Sequence, residues 1–201
     1  MIDLFQSFFY NIFGDYMNKS ELRKYYLNLR NSLTNSDYKS KIIVEKILNE
    51  KEYKQSQTIG VYSSFKNEVN LNSLIDFSVE NNKIVCLPIV LDDSNMIFCK
   101  INSREDLINI NKYKIKEPLL DKLNIINSKD IDLIIVPGIC FDTNKNRIGF
   151  GKGYYDKYLK NSNSYNIGVC YDEQLLKDFY IENSPFDIAL DEVITDKVKI
   201  K

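Results

Sequence analysis

Ile131-Asp132-Leu133-Ile134-Ile135-Val136, followed by Pro137-Gly138, is the stretch of this sequence that decides its fold class. Apolar runs rich in β-branched residues predict strands that are buried on both faces, as in parallel sheets covered by helices. Pro137 and Gly138 end the strand and begin a loop. The stretch therefore predicts a central strand of an α/β sheet, with a loop at its carboxyl end.

The segments on either side alternate between apolar strands and helices with a period of 3.6 residues. Strands are predicted at 58–62, 83–89, 96–101, 165–170 and 192–194. Helices are predicted after a capping box of Asn18 and Glu21, and at 36–53, 71–81 and 154–160, with a short turn capped at Ser103. The polar stretch 112–118 is expected to be irregular. Because no repeat or low-complexity linker interrupts the pattern, we expect one layered α/β domain over 17–201, with a mostly parallel central sheet flanked by helices.

The charge balance and one missing residue type exclude several kinds of function. The chain has 201 residues, with 27 Lys plus Arg, 28 Asp plus Glu and a net charge of −1, so we expect neither nucleic-acid nor membrane partners. It contains no histidine, which excludes Ser-His-Asp and Cys-His catalysis, a histidine general base and histidine-ligated zinc. Chemistry must therefore depend on carboxylates, Lys, Arg, Tyr, backbone amides or the phosphates of a ligand.

The four cysteines are expected to be buried thiols. Each lies in an apolar run, and no two are closer than Cys86 and Cys99, so a thiolate metal site is not indicated. Free thiols predict a reducing compartment, and no apolar run is long enough to cross a membrane, so we expect a cytoplasmic protein. Residues 1–16 are aromatic but do not form a secretory signal.

A glycine-rich stretch, Arg147-Ile-Gly149-Phe-Gly151-Lys-Gly153-Tyr-Tyr-Asp156, follows the central strand. Ligands of open α/β sheets bind at the carboxyl ends of strands, and alternate glycines let backbone N–H groups surround an anion. Arg147 and Lys152 supply charge for phosphate oxygens, and Asp156 is suited to a metal ion. The spacing fits neither a Walker A loop, nor the dinucleotide fingerprint, nor a calcium loop. A flexible surface turn remains the alternative.

This stretch resembles the signature of 5-formyltetrahydrofolate cyclo-ligases, and the resemblance runs from about Lys19 to Asp196. The other segments that share the resemblance are Lys19-Ser-Glu-Leu-Arg23, 61–69, Glu117-Pro118, the Pro-Gly-x-x-Phe-Asp that begins at Pro137, Gln174 and 186–196. Family members often have histidine at the position of Phe186. The resemblance implies a fold like that of NagB, RpiA and CoA transferases. It also implies ATP- and Mg²⁺-dependent closure of 5-formyltetrahydrofolate to 5,10-methenyltetrahydrofolate through a phosphorylated formyl group, with ADP and phosphate as products. ATP would be the co-substrate and Mg²⁺ the cofactor of a monomeric enzyme.

The resemblance also implies roles for individual residues. Arg147, Lys152 and Glu68 would be catalytic, and Asp156 and Asp187 would hold magnesium. The folate would be bound by Ser63, Glu68, Phe150 and Tyr154. The ATP site would comprise Lys19, Arg23, Arg147, Ile148, Gly149, Phe150, Gly151, Lys152, Gly153, Tyr154 and Tyr155.

Each assignment has a structural alternative when it is judged from the residues alone. Lys19 and Arg23 also fit a solvated helix face, Asp187 fits a turn beside Pro185, and Glu68 fits a solvated loop. Tyr154 and Tyr155 also fit ordinary core packing. At the level of function, the alternatives are an α/β protein that binds another phosphorylated small molecule and a non-catalytic folate-binding relative.

Residues 1–16 precede the part of the chain that resembles the family, so they are either an extension or the product of a misassigned start codon. We expect that they add nothing to catalysis. A chain that begins at Met17 should keep its turnover and its melting temperature in a thermal scan. A fall in either value would show that the aromatic segment packs on the domain.

Overall fold

A computed structural model describes residues 17–109 and 115–201. The extension 1–16 and part of the stretch expected to be irregular, 110–114, lie outside the described residues. The helices of the described part are α1 (Lys19–Ser32), α2 (Ser36–Asn49), α3 (Lys51–Gln55), α4 (Asn72–Glu80) and α5 (Tyr154–Leu159), with 3-10 turns at Arg104–Asp106, Lys122–Asn124, Ser128–Asp130 and Asp172–Gln174. Within the described residues, no helix is long and apolar enough to cross a membrane.

The strands form one large sheet and two small ones. The strands are β1 (Thr58–Gly60), β2 (Ile84–Val90), β3 (Met96–Ile101), β4 (Leu107–Asn109), β5 (Lys116–Pro118), β6 (Ile125–Ile126), β7 (Leu133–Pro137), β8 (Cys140–Asp142), β9 (Arg147–Ile148), β10 (Tyr165–Val169), β11 (Leu175–Leu176), β12 (Glu192–Ile194) and β13 (Lys199–Ile200). The large sheet has the order β13-β12-β10-β7-β1-β2-β3-β6. Its central strands β12, β10, β7, β1 and β2 are parallel; β13 and β3 pair antiparallel with the two outer strands of this group, and β6 pairs antiparallel with β3. The predicted mostly parallel sheet is confirmed.

The central strand β7 is buried on both faces, as its apolar run predicts. Leu133 and Ile135 pack into one core cluster with α2 and α4, whereas Ile134 and Val136 pack into a second cluster with α5. The alternation follows from the period of two in a strand, and it shows that helices cover both faces of the sheet.

The strand order reverses at the centre of the sheet. The chain goes from β1 to its neighbour β2 on one side and later returns to β7 on the other side of β1. Loops that leave the carboxyl ends of β1 and β7 therefore diverge to opposite faces and leave a crevice between them, which is the usual ligand site of open α/β sheets.

Local sequence signals predict most elements, and the differences have physical causes. The capping box of Asn18 and Glu21 is present at the start of α1. The helix expected at 36–53 is instead divided into α2 and α3, because Glu50 has extended backbone angles. The buried Glu50 carboxylate pairs with Lys199 and Lys201 near the end of the chain. Part of the stretch expected to be irregular, Lys116–Pro118, pairs with Leu107–Asn109 as a short ribbon.

The small sheet β11-β8-β9 supports the glycine-rich loop, and Asp142 holds it together. The Asp142 carboxylate is fully buried, and its Oδ1 accepts hydrogen bonds from the N–H groups of Asn144 (3.0 Å) and Asn146 (2.8 Å). Its Oδ2 accepts from the Asn146 side chain (3.0 Å) and from the backbone of Ile181 (2.8 Å). One carboxylate thus fixes the β8–β9 turn and the segment after β11.

Replacement of Asp142 by Ala should be strongly destabilising, because it removes the acceptor of four N–H donors, three of which are buried. We expect a loss of about 3–5 kcal/mol in the free energy of unfolding, measured by urea titration. Asp92 is a matched control, since it accepts similar bonds from Ser94 and Asn95 at an exposed turn. Asp92→Ala should barely change the urea midpoint, and equal losses in both variants would contradict the assignment.

Candidate active site

Two loops meet at the crevice between β1 and β7. The loop after β1 carries Glu68, and the loop after β7 and β9 carries the three alternate glycines. The rings of Phe65 and Phe150, one from each loop, lie 6.3 Å apart between their centroids. The sheet topology therefore brings together two segments that the sequence analysis identifies separately.

The glycine-rich loop is shaped by positive φ angles and by Arg23. Gly151 has φ +95° and Gly153 has φ +69°, a region that side chains with a Cβ rarely adopt. Arg23 Nε donates to the Gly149 carbonyl at 2.8 Å, and its guanidinium lies beside Gly151. Because Arg23 comes from α1, the predicted phosphate-binding helix face does contact the predicted phosphate loop.

Arg147 lies at the start of this loop and contacts α5. Its Nη2 is 2.9 Å from Asp156 Oδ1, and its guanidinium carbon is 5.6 Å from the centre of the Tyr155 ring. The contact with Asp156 is an ion pair without hydrogen-bond alignment, and Arg147 Nε and Nη2 have no hydrogen-bond partner among the described residues. These two atoms form the edge of a guanidinium that binds two oxygens at once. Arg147 is thus a buried cation whose Nε lacks a hydrogen-bond partner in the described part of the chain and whose Nη2 is held by the ion pair with Asp156.

Lys19 pairs with the other predicted metal ligand, Asp187. The Nζ–Oδ2 distance is 2.5 Å, and the backbone N–H of Ser184 also donates to the same oxygen. Burial alone would raise the pKa of Asp187, but the hydrogen bonds from Lys19 and Ser184 outweigh it, and the pKa is lowered. The carboxylate is therefore held in its charged form, joined to the first turn of α1.

The residues present fit a magnesium ion. The backbone N–H of Ile188, next to Asp187, donates to Asp156 Oδ1 at 3.2 Å, which links the Asp156 carboxylate to the Asp187 segment. Carboxylate oxygens are the ligands that Mg²⁺ prefers, and one or two of them plus substrate phosphates commonly suffice. A cluster of three carboxylates is found elsewhere in the described part, at Glu50, Glu52 and Glu192. It lies at the amino end of β12, and lysines occupy it, so it is not the predicted site.

Glu68 is a buried carboxyl group next to a buried arginine. Its Oε2 accepts a hydrogen bond from Phe65 N–H at 3.0 Å, and its Oε1 lies 3.6 Å from Nη1 of Arg30. Burial raises the pKa of Glu68 to about 7, and Arg30 and the Phe65 N–H limit the rise. The interpretation as a solvated loop residue is therefore wrong, since the side chain is only 7% exposed.

A polar cavity of about 180 Å³ adjoins Glu68. It is lined by residues of α2, of the loop after β1 and of the segment after β10: Ser36, Asp37, Ser64, Asn67, Glu68, Asn70 and Tyr171. Ser64 rather than the predicted Ser63 lines this cavity. Phe150 is half exposed, which leaves its ring free to contact a flat ligand.

Three predicted residues lie away from this group. Lys152 is exposed and pairs with Asp93 in the β2–β3 turn at 3.0 Å. Ile148 is buried in the core under the small sheet, and Tyr154 packs on the cluster around α5. Ile148 and Tyr154 therefore take part in core packing, and the side chain of Lys152, although its backbone belongs to the glycine-rich loop, is exposed and held at Asp93.

Arg30 is the residue that the sequence analysis misses. It is 1% exposed and lies seven positions after Arg23, two turns along the same face of α1. Besides its contact with Glu68, its Nη1 donates a long hydrogen bond to the Gly138 carbonyl at 3.4 Å, and its guanidinium carbon is 5.9 Å from the Phe150 ring centre. The available signal was its residue type, because arginine is scarce in this lysine-rich chain.

Glu68 should make stability depend on pH with a definite sign. Its folded pKa of about 7 lies above the ordinary value of 4.5, so the folded state binds this proton more tightly. The stabilisation is complete below pH 4.5 and is lost as the pH rises through 7. Relative to Glu68→Gln, the wild type should therefore lose about 2–3 kcal/mol of unfolding free energy between pH 5 and pH 8, measured by urea titration. The exposed Glu80→Gln should show no such difference, and a constant gap for Glu68→Gln would contradict the raised pKa.

Known proteins with similar sequences and structures identify the family. The sequence profile of the 5-formyltetrahydrofolate cyclo-ligase family matches residues 15–196. A probable 5-formyltetrahydrofolate cyclo-ligase of Schizosaccharomyces pombe is 30% identical over 82% of this chain and 87% of its own length. The 5-formyltetrahydrofolate cyclo-ligase of Escherichia coli K12 is 31% identical over 70% of this chain and 78% of its own length.

Two solved structures have the same fold. The 5,10-methenyltetrahydrofolate synthetase of Aquifex aeolicus superposes with a TM-score of 0.78 at 31% identity, covering 91% of this chain and 92% of its own. The synthetase from Mycoplasma pneumoniae gives a TM-score of 0.72 at 28% identity, covering 90% and 99%. With its glycine-rich loop, basic helix face and buried Glu68 in one crevice, this chain is an enzyme that belongs to the 5-formyltetrahydrofolate cyclo-ligase family.

Proposed function

We propose that the protein converts 5-formyltetrahydrofolate to 5,10-methenyltetrahydrofolate in a reaction that consumes ATP and requires Mg²⁺. The formyl oxygen attacks the γ-phosphorus of ATP, and ADP leaves. N10 of the folate then attacks the activated formyl carbon. The N10 proton is given up, the carbon–oxygen bond breaks, and phosphate leaves with the former formyl oxygen and takes up that proton, so atoms and charge balance without a covalent bond to the protein.

The observation that carries this proposal is the pairing of a phosphate-type loop with a buried carboxyl group in a crevice without histidine. A route in which ATP activates the substrate needs no protein nucleophile. Catalysis then consists of positioning the reactants and stabilising charge, which arginine, lysine and backbone N–H groups supply.

The ATP phosphates are assigned to the glycine-rich loop and the basic face of α1. Arg147 supports this assignment, because its buried Nε has no hydrogen-bond partner among the described residues and its Nη2 is held only by the ion pair with Asp156, which phosphate oxygens would replace. Arg23 already contacts the loop, and Lys19 lies one turn before it on the same helix. Lys152 is assigned here as well, since an exposed lysine 3.0 Å from an exposed aspartate can exchange partners at little cost.

The folate is assigned to the crevice beside Glu68. A buried carboxylate is a strong acceptor for the N–H donors of a pterin ring. Phe150 and Phe65 offer ring faces on the two sides of the crevice. The polar cavity lined by Ser64 and Asn67 extends the same pocket.

The magnesium ion is assigned to Asp156 and Asp187, and when bound it supplies positive charge that neutralises phosphate oxygens. Each carboxylate is paired with a basic side chain in the structure, Arg147 or Lys19. Phosphate groups would draw these basic side chains away and leave the carboxylates as metal ligands. We also infer that residues 17–201 act as a cytoplasmic monomer, and the four buried free cysteines support the reducing compartment.

One absorbance assay tests the proposed function. Purified protein with 5-formyltetrahydrofolate, ATP and Mg²⁺ should produce the methenyl chromophore, and omission of ATP should abolish it. Arg147→Ala measured in parallel should lose most of this activity. Folate binding without turnover would instead favour the non-catalytic relative, and absence of folate binding would favour another phosphorylated ligand.

Arg147→Lys should lower kcat by roughly tenfold to a hundredfold, with a smaller change in KM for ATP. Lysine keeps the charge but loses the planar pair of donors that follows the phosphoryl group as its charge spreads. Arg104→Lys is the matched control, because Arg104 makes a bidentate pair with Asp76 outside the crevice. A raised KM for ATP with unchanged kcat in Arg147→Lys would reject the transition-state role.

Asp187→Asn should raise the Mg²⁺ concentration for half-maximal rate by roughly tenfold, while folate affinity changes less. The amide is a weaker ligand for a hard cation than a carboxylate. Asp191→Asn is the control, since Asp191 accepts only a strand-edge bond from Asn166 N–H in the described contacts. An unchanged half-saturation point in a magnesium titration would remove Asp187 from the metal site.

A further inference from the structure

Arg30 has an unusual environment for an arginine that serves only stability. Its side chain is 1% exposed, yet its hydrogen-bond and ion-pair contacts are made through Nη1 alone, at 3.4 Å to the Gly138 carbonyl and 3.6 Å to Glu68 Oε1. Its Nε and Nη2 have no hydrogen-bond partner among the residues that the structure describes. Burial of a guanidinium is costly unless its donors are satisfied, so these contacts do not offset the cost. The position of Arg30 therefore needs an explanation other than stability.

The neighbours of Arg30 supply that explanation. The guanidinium lies between Glu68 and Gly138, the residue that follows β7, and Phe150 of the glycine-rich loop stands over it. Glu68 is fixed from the opposite side by the N–H of Phe65. Arg30 is thus the one cation within ion-pair distance of Glu68 among the described residues.

We propose that Arg30 is a positioning residue for the reaction: it orients the Glu68 carboxylate in the crevice and keeps it in the charged form that accepts hydrogen bonds from the folate. This inference rests on the proposed role of Glu68 and adds the residue through which that role is controlled. Arg30 acts through Glu68, so its effect is visible in how activity depends on pH.

The groups that face Glu68 determine what the pH dependence reports. They come from five segments: Arg30 from α1, Asp37 from α2, Tyr62 from the end of β1, Tyr155 from α5 and Tyr171 from the segment after β10. Burial raises the pKa of Tyr62, Tyr155 and Tyr171, so these phenols stay neutral near pH 7. All the variants below retain Asp37. Removal of Arg30 deletes the cation that lowers the pKa of Glu68, so that pKa must rise further.

The test is the pH profile of kcat/KM for the folate at saturating ATP and Mg²⁺. The wild type should show an acid limb near pH 7, where Glu68 becomes charged. Arg30→Met should move this limb upward by roughly one pH unit or more, and Arg30→Lys, which keeps the charge, should move it by less than about half a unit. Arg30→Lys should still raise KM for the folate several-fold, because an ammonium lacks the planar fork.

Three further variants separate the possible failures. Glu68→Gln should lack the limb, and Arg30→Met added to Glu68→Gln should have much less effect than Arg30→Met alone. Arg104→Met removes an arginine from an exposed ion pair and should leave the limb in place. Thermal scans of all variants from pH 6 to pH 9 establish that each variant is folded at every pH at which its activity is compared.

A limb that stays at its wild-type position in Arg30→Met, but is absent in Glu68→Gln, would overturn the role of Arg30 alone. A limb that persists in Glu68→Gln would overturn the role proposed for Glu68. If Arg30→Met does not fold, a wild-type KM for the folate in Arg30→Lys would overturn the inference. A raised KM in Arg30→Lys, with kcat preserved, would support it.

Discussion

The site depends on pairing between cations and carboxylates that come from different parts of the chain. The described crevice contains three such pairs: Lys19 with Asp187, Arg147 with Asp156, and Arg30 with Glu68. Two of them join α1 to loops that lie far away in sequence, and the third joins the glycine-rich loop to α5. Charged groups that are partly or fully buried are costly when alone, so the pairs keep the crevice ordered without a ligand.

This arrangement suits a reaction in which charges change partners. A nucleotide and a divalent cation bring their own opposite charges, so phosphate can replace carboxylate at the basic groups while the metal replaces lysine and arginine at the acids. Each incoming charged group then meets groups of opposite charge, which limits the cost of desolvation. In the reaction proposed above, ATP would provide the leaving group and the protein would provide placement, so that the enzyme needs no histidine.

The sequence predicts the parts of this account that depend on local pattern. The apolar run of β7, the capping box of α1 and the alternate glycines each leave a signal within a few residues. Arginine is scarce in the chain and Asp142 ends the Pro-Gly-x-x-Phe-Asp segment, but neither signal predicts what Arg30 or Asp142 does, because their roles depend on partners such as Glu68 and Ile181 that are distant in the sequence. The interruption of the second helix at Glu50 is hidden for the same reason, since its lysine partners lie at the other end of the chain. Short strands such as β9 and β11 have two residues each and no recognisable period.

In the proposed reaction, ATP activates the formyl oxygen and no protein group is acylated or phosphorylated on the way. An isotope transfer experiment is the most direct test: 5-formyltetrahydrofolate labelled with ¹⁸O in the formyl group is turned over with ATP and Mg²⁺, and the phosphate is examined by ³¹P NMR. Activation by ATP should leave one ¹⁸O atom in each phosphate released, with the label retained in unreacted folate. Phosphate without ¹⁸O, formed while the remaining substrate keeps its label, would rule this route out.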